Sequence, residues 1–165
     1  MLRASDIATL RELRIEALAE SPAAFGSTLE RELARTDDDW RRWIAAGAVC
    51  VGEEDREVCG LVATRRSDDD PATTELLSMW VAPGRRGEGL GAGLVAWVVD
   101  WAHAHGARRV SLCVFADNAP ARALYRRCGF VEPGGGPPTP AEADVQVTMT
   151  LEVATSRHDP GTAVR

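Results

Sequence analysis

Ile7, Leu10, Leu13, Ala17 and Leu18 recur three or four positions apart, the spacing that gathers apolar side chains on one face of a helix. Ser5 stands where it can cap this helix, and Ser21-Pro22 breaks it. Phe25 to Ala34 predicts a second, shorter helical segment. Thr36 followed by Asp37, Asp38 and Asp39 offers a capping hydroxyl and carboxylates for the positive end of a helix. The helix it starts turns Trp40, Trp43 and Ile44 inward and stops at Gly47.

The pattern then changes to strands. Ala48 to Glu53 and Val58 to Arg66 are β-branched runs joined by Glu54-Asp55-Arg56-Glu57, which reads as a hairpin. After the acidic turn Ser67 to Pro71, the run Thr74 to Ala82 has an apolar centre, which places it inside a sheet. Leu90, Leu94, Trp97, Val98, Trp101 and His105 return to helical spacing, ended by Gly106. Val110 to Phe115 is a short strand. Asp117-Asn118 can cap a helix with Pro120 in its first turn, carrying Ala121, Leu124, Tyr125 and Cys128 and closed by Gly129. Phe130-Val131 opens a further strand, Gly134 to Pro140 forms a loop, and Val145 to Val153 is the last strand. Strands alternating with helices after a helical and hairpin opening predict a mixed α/β sheet. No repeat or linker divides the chain, so residues 1–153 read as one domain and 154–165 as a frayed tail.

Composition sharpens this only in part. The 165 residues suit a single domain. A net charge of −6 speaks against a nucleic-acid partner and weakly for an amine substrate. Cys50, Cys59, Cys113 and Cys128 have no zinc-like spacing, lie in apolar stretches, and predict free thiols and no metal. Arg3, Asp6, Arg11 and Glu12 interrupt any leader-like apolar run. The longest near-continuous apolar run, Leu90 to Val99, is about half of a bilayer crossing. A cytoplasmic protein with no membrane partner is the expectation.

The chemistry concentrates in Arg86-Gly87-Glu88-Gly89-Leu90-Gly91, between the apolar strand and a helix. Glycines let main-chain N–H groups crowd an anion, and the first helical turn adds unpaired donors and a positive dipole end. Arg85 and Arg86 bring charge nearby. The loop is neither a Walker sequence nor a dinucleotide fingerprint, because no Gly-Lys-Ser/Thr follows and the glycine spacing differs. Taken alone, it is also explained as a glycine-rich turn with no ligand.

Val81-Ala82-Pro83 followed by Arg86-x-x-Gly89-x-Gly91 resembles the acetyl-CoA loop of the GNAT superfamily of N-acetyltransferases. A second signature, Asn118-x-x-Ala121-x-x-Leu124-Tyr125-x-x-x-Gly129-Phe130, follows at a similar distance to the family's, so the likeness covers roughly residues 74–131. The resemblance implies a mixed, mostly antiparallel sheet of about seven strands flanked by helices, with the fourth and fifth strands splayed. Pantetheine would lie against Met79, Trp80 and Val81. The pyrophosphate would sit on the amides of Arg86, Gly87, Glu88, Gly89, Leu90, Gly91 and Ala92, with Asn118 beside the pantetheine or its sulfur end. The chain offers only Met1 to Ala4 for the family's first strand, which is therefore truncated or begins upstream.

The same resemblance implies acetyl-CoA as co-substrate and direct attack by an amine in a ternary complex. Tyr125, the only tyrosine, falls where the family commonly places its general acid. Its helix face, shared with Ala121, Leu124 and Cys128, also suits simple core packing. Glu75 matches a glutamate that several members use as base, although a solvent-facing strand-end carboxylate fits it too. The acceptor pocket would draw on Ser21 to Leu29 and Gly134 to Asp144, and the acceptor itself stays unassigned. A non-catalytic CoA-binding module is the alternative. Dimers are frequent in the superfamily, and no residue here establishes one.

Overall fold

Two apolar cores, one on each face of a single sheet, organise the chain. The computed structural model describes residues 1–3, 5–133 and 145–153. The loop expected over Gly134 to Pro140, the acceptor stretch Gly134 to Asp144 and the tail 154–165 lie outside those residues.

Helices α1 (Ile7–Glu20), α2 (Leu29–Leu33) and α3 (Asp37–Ala45) precede strands β1 (Gly47–Glu54), β2 (Glu57–Arg66) and β3 (Thr73–Val81). Then follow α4 (Leu90–Ala104), β4 (Arg109–Phe115), α5 (Ala119–Arg127) and β5 (Gln146–Glu152). The strands lie in sequence order, β1-β2-β3-β4-β5. All neighbours are antiparallel except β3 and β4, whose parallel pairing requires the α4 crossover. Among the described residues, no helix is long and apolar enough to cross a membrane.

The hydrophobic pattern places most elements, and the departures have local causes. Asp6 rather than Ser5 precedes α1: its carboxylate accepts from Arg3 N at 2.8 Å and from Ser5 Oγ at 2.9 Å, so Ser5 is used up on its neighbour. The segment read as one helix over Phe25 to Ala34 is shorter. A 3-10 turn at Pro22–Ala24 leads into an extended Phe25, and α2 starts only after Thr28, whose hydroxyl accepts from Arg31 N. Thr36 and Asp39 form a reciprocal capping box on α3. Gly47 does not terminate that helix but begins β1, where a Cβ would stand 1.9 Å from the Thr64 carbonyl oxygen.

Among the described residues, five strands stand where about seven were expected. Two single contacts stand where further strands were expected: Leu2 N donates to Val49 O at 2.8 Å, and Val131 forms an isolated bridge to Thr150. Phe130 turns into the core and Glu132 is drawn to Arg122 and Arg126, so the chain leaves the sheet after one rung.

β2 is buried on both faces, with Leu61 and Ala63 facing α1 and α3 and Val62 facing α4. The last turn of α1 is fastened to the far end of β3 by Glu20. Its Oε2 accepts from Trp80 Nε1 at 3.1 Å and from Arg86 Nη2 at 2.6 Å, with the Ser21 hydroxyl also bonded to it. These donors, the Ser21 hydroxyl first and Arg86 next, hold the Glu20 carboxyl at about 2, against an ordinary 4.5. A carboxyl lowered on folding contributes stability above its unfolded value and loses it as pH falls toward the folded one. Glu20→Gln is therefore expected to cost about 1 kcal/mol at neutral pH. In urea titrations the gap from wild type should narrow between pH 4.5 and about 2, the window set by that shift. A gap unchanged across that window would assign the loss to shape rather than charge.

Candidate active site

β3 and β4 pair over only three rungs, Thr73 with Arg109, Thr74 with Val110 and Glu75 with Ser111, and then part. A bulge in β3 accompanies the divergence. Ser78 and Met79 together face the single residue Val62 of β2, and Ser78 takes a left-handed φ of 54°. Beyond Glu75, the edge of β3 on the β4 side is unpaired. The gap opens as a cleft of about 480 Å³ between Leu76–Met79 on one side and Leu112–Phe115 on the other. Arg14, Phe25 and Trp43 close one end, and Asn118, Ala121 and Tyr125 line it from α5.

The loop between β3 and α4 carries open main-chain donors. Gly87 and Gly89 adopt φ of 88° and 98°, a region L side chains rarely occupy, and a Cβ at either would meet nothing within 4 Å. The loop bonds stop at Arg86 N to Pro83 O and resume at Gly93 N to Gly89 O. Among the described residues, the amides of Gly87, Glu88, Gly89, Leu90, Gly91 and Ala92 donate to no carbonyl. They sit at the N-terminus of the 15-residue helix α4, where the dipole favours an anion. A diphosphate fits this donor set by chemistry.

The two arginines are not aimed at it. Arg86 donates backward, Nε to Val81 O at 2.9 Å and Nη2 to Glu20. Arg85 reaches the β1–β2 hairpin, with Nη2 at 3.2 Å from Asp55 Oδ2. The cradle is therefore main-chain, and the arginines brace its two flanks.

Met79 lines the cleft, and Met79, Val81 and Leu124 approach Gly91, where a Cβ would lie 3.1 Å from Leu124 Cδ2. Trp80 points the other way, 4% exposed in the α1–α3 core. Only its main chain can belong to the site. Asn118 caps α5, its Oδ1 accepting from Ala121 N at 3.2 Å, and lines the cleft.

Tyr125 is both core and cleft. It packs against Phe130 at 5.9 Å between centroids, is 6% exposed, and lines the gap. Its hydroxyl has no hydrogen-bond partner among the described residues, and burial, with Cys128 adding a smaller effect, pushes its pKa well above the ordinary phenol value. The phenol is thus held protonated. Glu75 marks the root of the cleft, half in view, with Oε2 bonded to Arg65 Nε at 2.8 Å. Of the cysteines read as small hydrophobes, only Cys59 is buried, and Cys113 is exposed on the cleft wall. Burial raises the Cys128 thiol.

Sequence reading missed the groups that hold these residues. Arg122 is buried on α5, donating Nη1 to Ala116 O at 2.6 Å and a fork to Glu132, so it pins the helix bearing Tyr125 to the end of β4. Nothing in the local pattern announced it or Glu20. Arg14 did leave a signal: it falls on the apolar face of α1 between Leu10 and Ala17.

Residues 11–130 match the acetyltransferase (GNAT) family. A mycothiol acetyltransferase of Beutenbergia cavernae is 33% identical over 118 residues, covering 72% of this chain and 39% of that protein. A streptothricin acetyltransferase of Streptomyces lavendulae is 36% identical over 109 residues, covering 66% of this chain and 54% of that protein. The chain thus spans about two fifths of the length of the mycothiol acetyltransferase it matches. Among solved structures, the yncA protein of Salmonella typhimurium with its cofactor acetyl-CoA shares the fold at a TM-score of 0.72 and 23% identity, over 99% of this chain and 96% of that one. With a family match over most of its length and a splayed sheet ending in an open glycine loop, the chain belongs to the GNAT family of acetyltransferases.

Proposed function

We propose that this chain is an acetyl-CoA-dependent N-acetyltransferase that moves an acetyl group to a primary amine by direct attack in a ternary complex. The observation that carries this reading is the row of unengaged amides from Gly87 to Ala92, in the loop that follows β3 and starts α4. Acetyl-CoA, as bound by the Salmonella protein of the same fold, supplies an activated thioester. The loop amides and α4 would hold its pyrophosphate, and the β4-side edge of β3 at Met79 to Val81, where Arg86 already takes the Val81 carbonyl, would with Asn118 hold its pantetheine arm.

The residues facing the cleft suit the two proton problems of the reaction. An amine of pKa ~10.4 must shed a proton at neutral pH, an uphill step of about 4 kcal/mol. Glu75 is the base in this reading: Arg65 engages Oε2, and no hydrogen bond among the described residues reaches Oε1. Tyr125 is the acid. Its hydroxyl stays protonated and unpartnered at the cleft, able to donate toward a departing thiolate. The names of the curated relatives, both acetyltransferases, support transfer over a purely binding role. Four free thiols among the described residues support a reducing, cytoplasmic setting.

Tyr125→Phe should lower turnover at least tenfold while leaving CoA affinity within about twofold. Steady-state thiol release and calorimetry measure the two quantities separately, and unaltered turnover removes Tyr125 as the acid. Gly89→Asp should abolish CoA binding, because the side chain enters a left-handed position and places a carboxylate at the anion site. Wild-type affinity in that variant would contradict the cradle.

A further inference from the structure

One wall of the cleft holds more positive charge than its own acids balance. Arg14 on α1 is only 5% exposed, and it lines the cleft together with Arg31 and Arg35. Glu32 is the acid packed among them. Arg35 Nε lies 2.5 Å from Glu32 Oε2, whereas Arg14 Nη2 stands off at 3.6 Å from Oε1, beyond a good hydrogen bond. The other acid lining the cleft, Glu75, is already held by Arg65.

Arg14 is also short of acceptors. Its Nε and Nη1 are buried with no hydrogen-bond partner among the described residues. The guanidinium instead stacks, with Cζ 4.5 Å from the Phe25 ring centroid and 5.7 Å from that of Trp43. Stacking occupies the face of the guanidinium plane and leaves the in-plane N–H edge unmet, the edge whose fork matches two oxygens of an oxyanion. Ser27 Oγ, in the same wall, is likewise buried and unpartnered. Unmet buried donors are destabilising, so this wall is built for an acceptor that the protein does not itself supply.

Resting on the acetyl-transfer reading, we infer that the acceptor amine also carries an oxyanion, a carboxylate or a phosphate, that seats on Arg14 and Ser27. Its apolar body lies against Phe25 and Trp43, and its amine is directed to the root of the cleft at Glu75. Both unmet Arg14 nitrogens are shielded from solvent, so the oxyanion reaches them as Phe25, on the irregular stretch before α2, turns aside. The acidic balance of the whole chain does not describe this wall, whose local excess is cationic.

Calorimetry on the wild-type protein with matched probes tests the site directly. Hydrocinnamate or phenethyl phosphate should bind at least tenfold tighter than phenethylamine, and whichever binds tighter identifies the oxyanion. Equal or tighter binding of the amine, or no binding of either anion, overturns the inference. Arg14→Gln should erase the preference for the anion and leave CoA affinity unchanged; a preference that survives in the folded variant also overturns it. If that variant does not fold, the wild-type comparison decides alone. Thiol release from acetyl-CoA with phenylalanine and with phenylalaninamide reads the transfer separately. Anion binding with no release keeps the pocket and counts against acetyl transfer. Equal rates on both amines keep the transfer and remove the oxyanion site.

Discussion

Everything at the site depends on main-chain hydrogen bonds that are not made. β3 and β4 give up their pairing after Glu75 and Ser111, and the amides from Gly87 to Ala92 donate to no carbonyl among the described residues. An unpaired sheet edge and an unpaired helix start are each unfavourable when shut away from water. Here the sheet edge lines an open cleft and the glycine loop follows directly on β3, so solvent or a ligand can satisfy them. The bulge at Ser78 and the left-handed glycines keep this arrangement from relaxing into ordinary pairing.

An open cleft needs its two lips held, and buried or half-buried ion pairs do this. On one side Glu20 gathers Trp80 and Arg86, joining α1 to the end of β3 and the glycine loop. On the other, Arg122 grips Ala116 O and Glu132, setting α5 and Tyr125 against β4. Both clusters tie a helix end to the strand it flanks. Their geometry is worth more to the site than their Coulomb energy, since the arginine fork fixes orientation as well as distance.

The cleft has an electrostatic gradient along it. The loop after β3 offers main-chain donors, the cleft's root carries one paired carboxylate, and one wall carries arginines with too few acids. A net negative chain can hold such a wall because screening confines surface charge to about 8–10 Å, while buried groups act at close range. Local composition, not the total, sets what the pocket accepts.

How much of this the residues announced follows from the range of the forces involved. Periodicity and capping are local, so the chain by itself determined α3 with its Thr36 cap, the β1–β2 hairpin, α4, and α5 with a cap at Asp117-Asn118. The glycine loop was equally legible, because φ above zero and free amides depend on a few adjacent residues. Ser5 and the Phe25 to Ala34 stretch were misread where near-equal local options competed. Only the tertiary structure decided that Trp80 faces the α1–α3 core while Met79 lines the cleft, that Arg86 braces Glu20 instead of the loop, and that Arg14 lies buried without its full set of acceptors. Those outcomes turn on which side chains meet across tens of residues of sequence, and no short-range pattern encodes such a meeting.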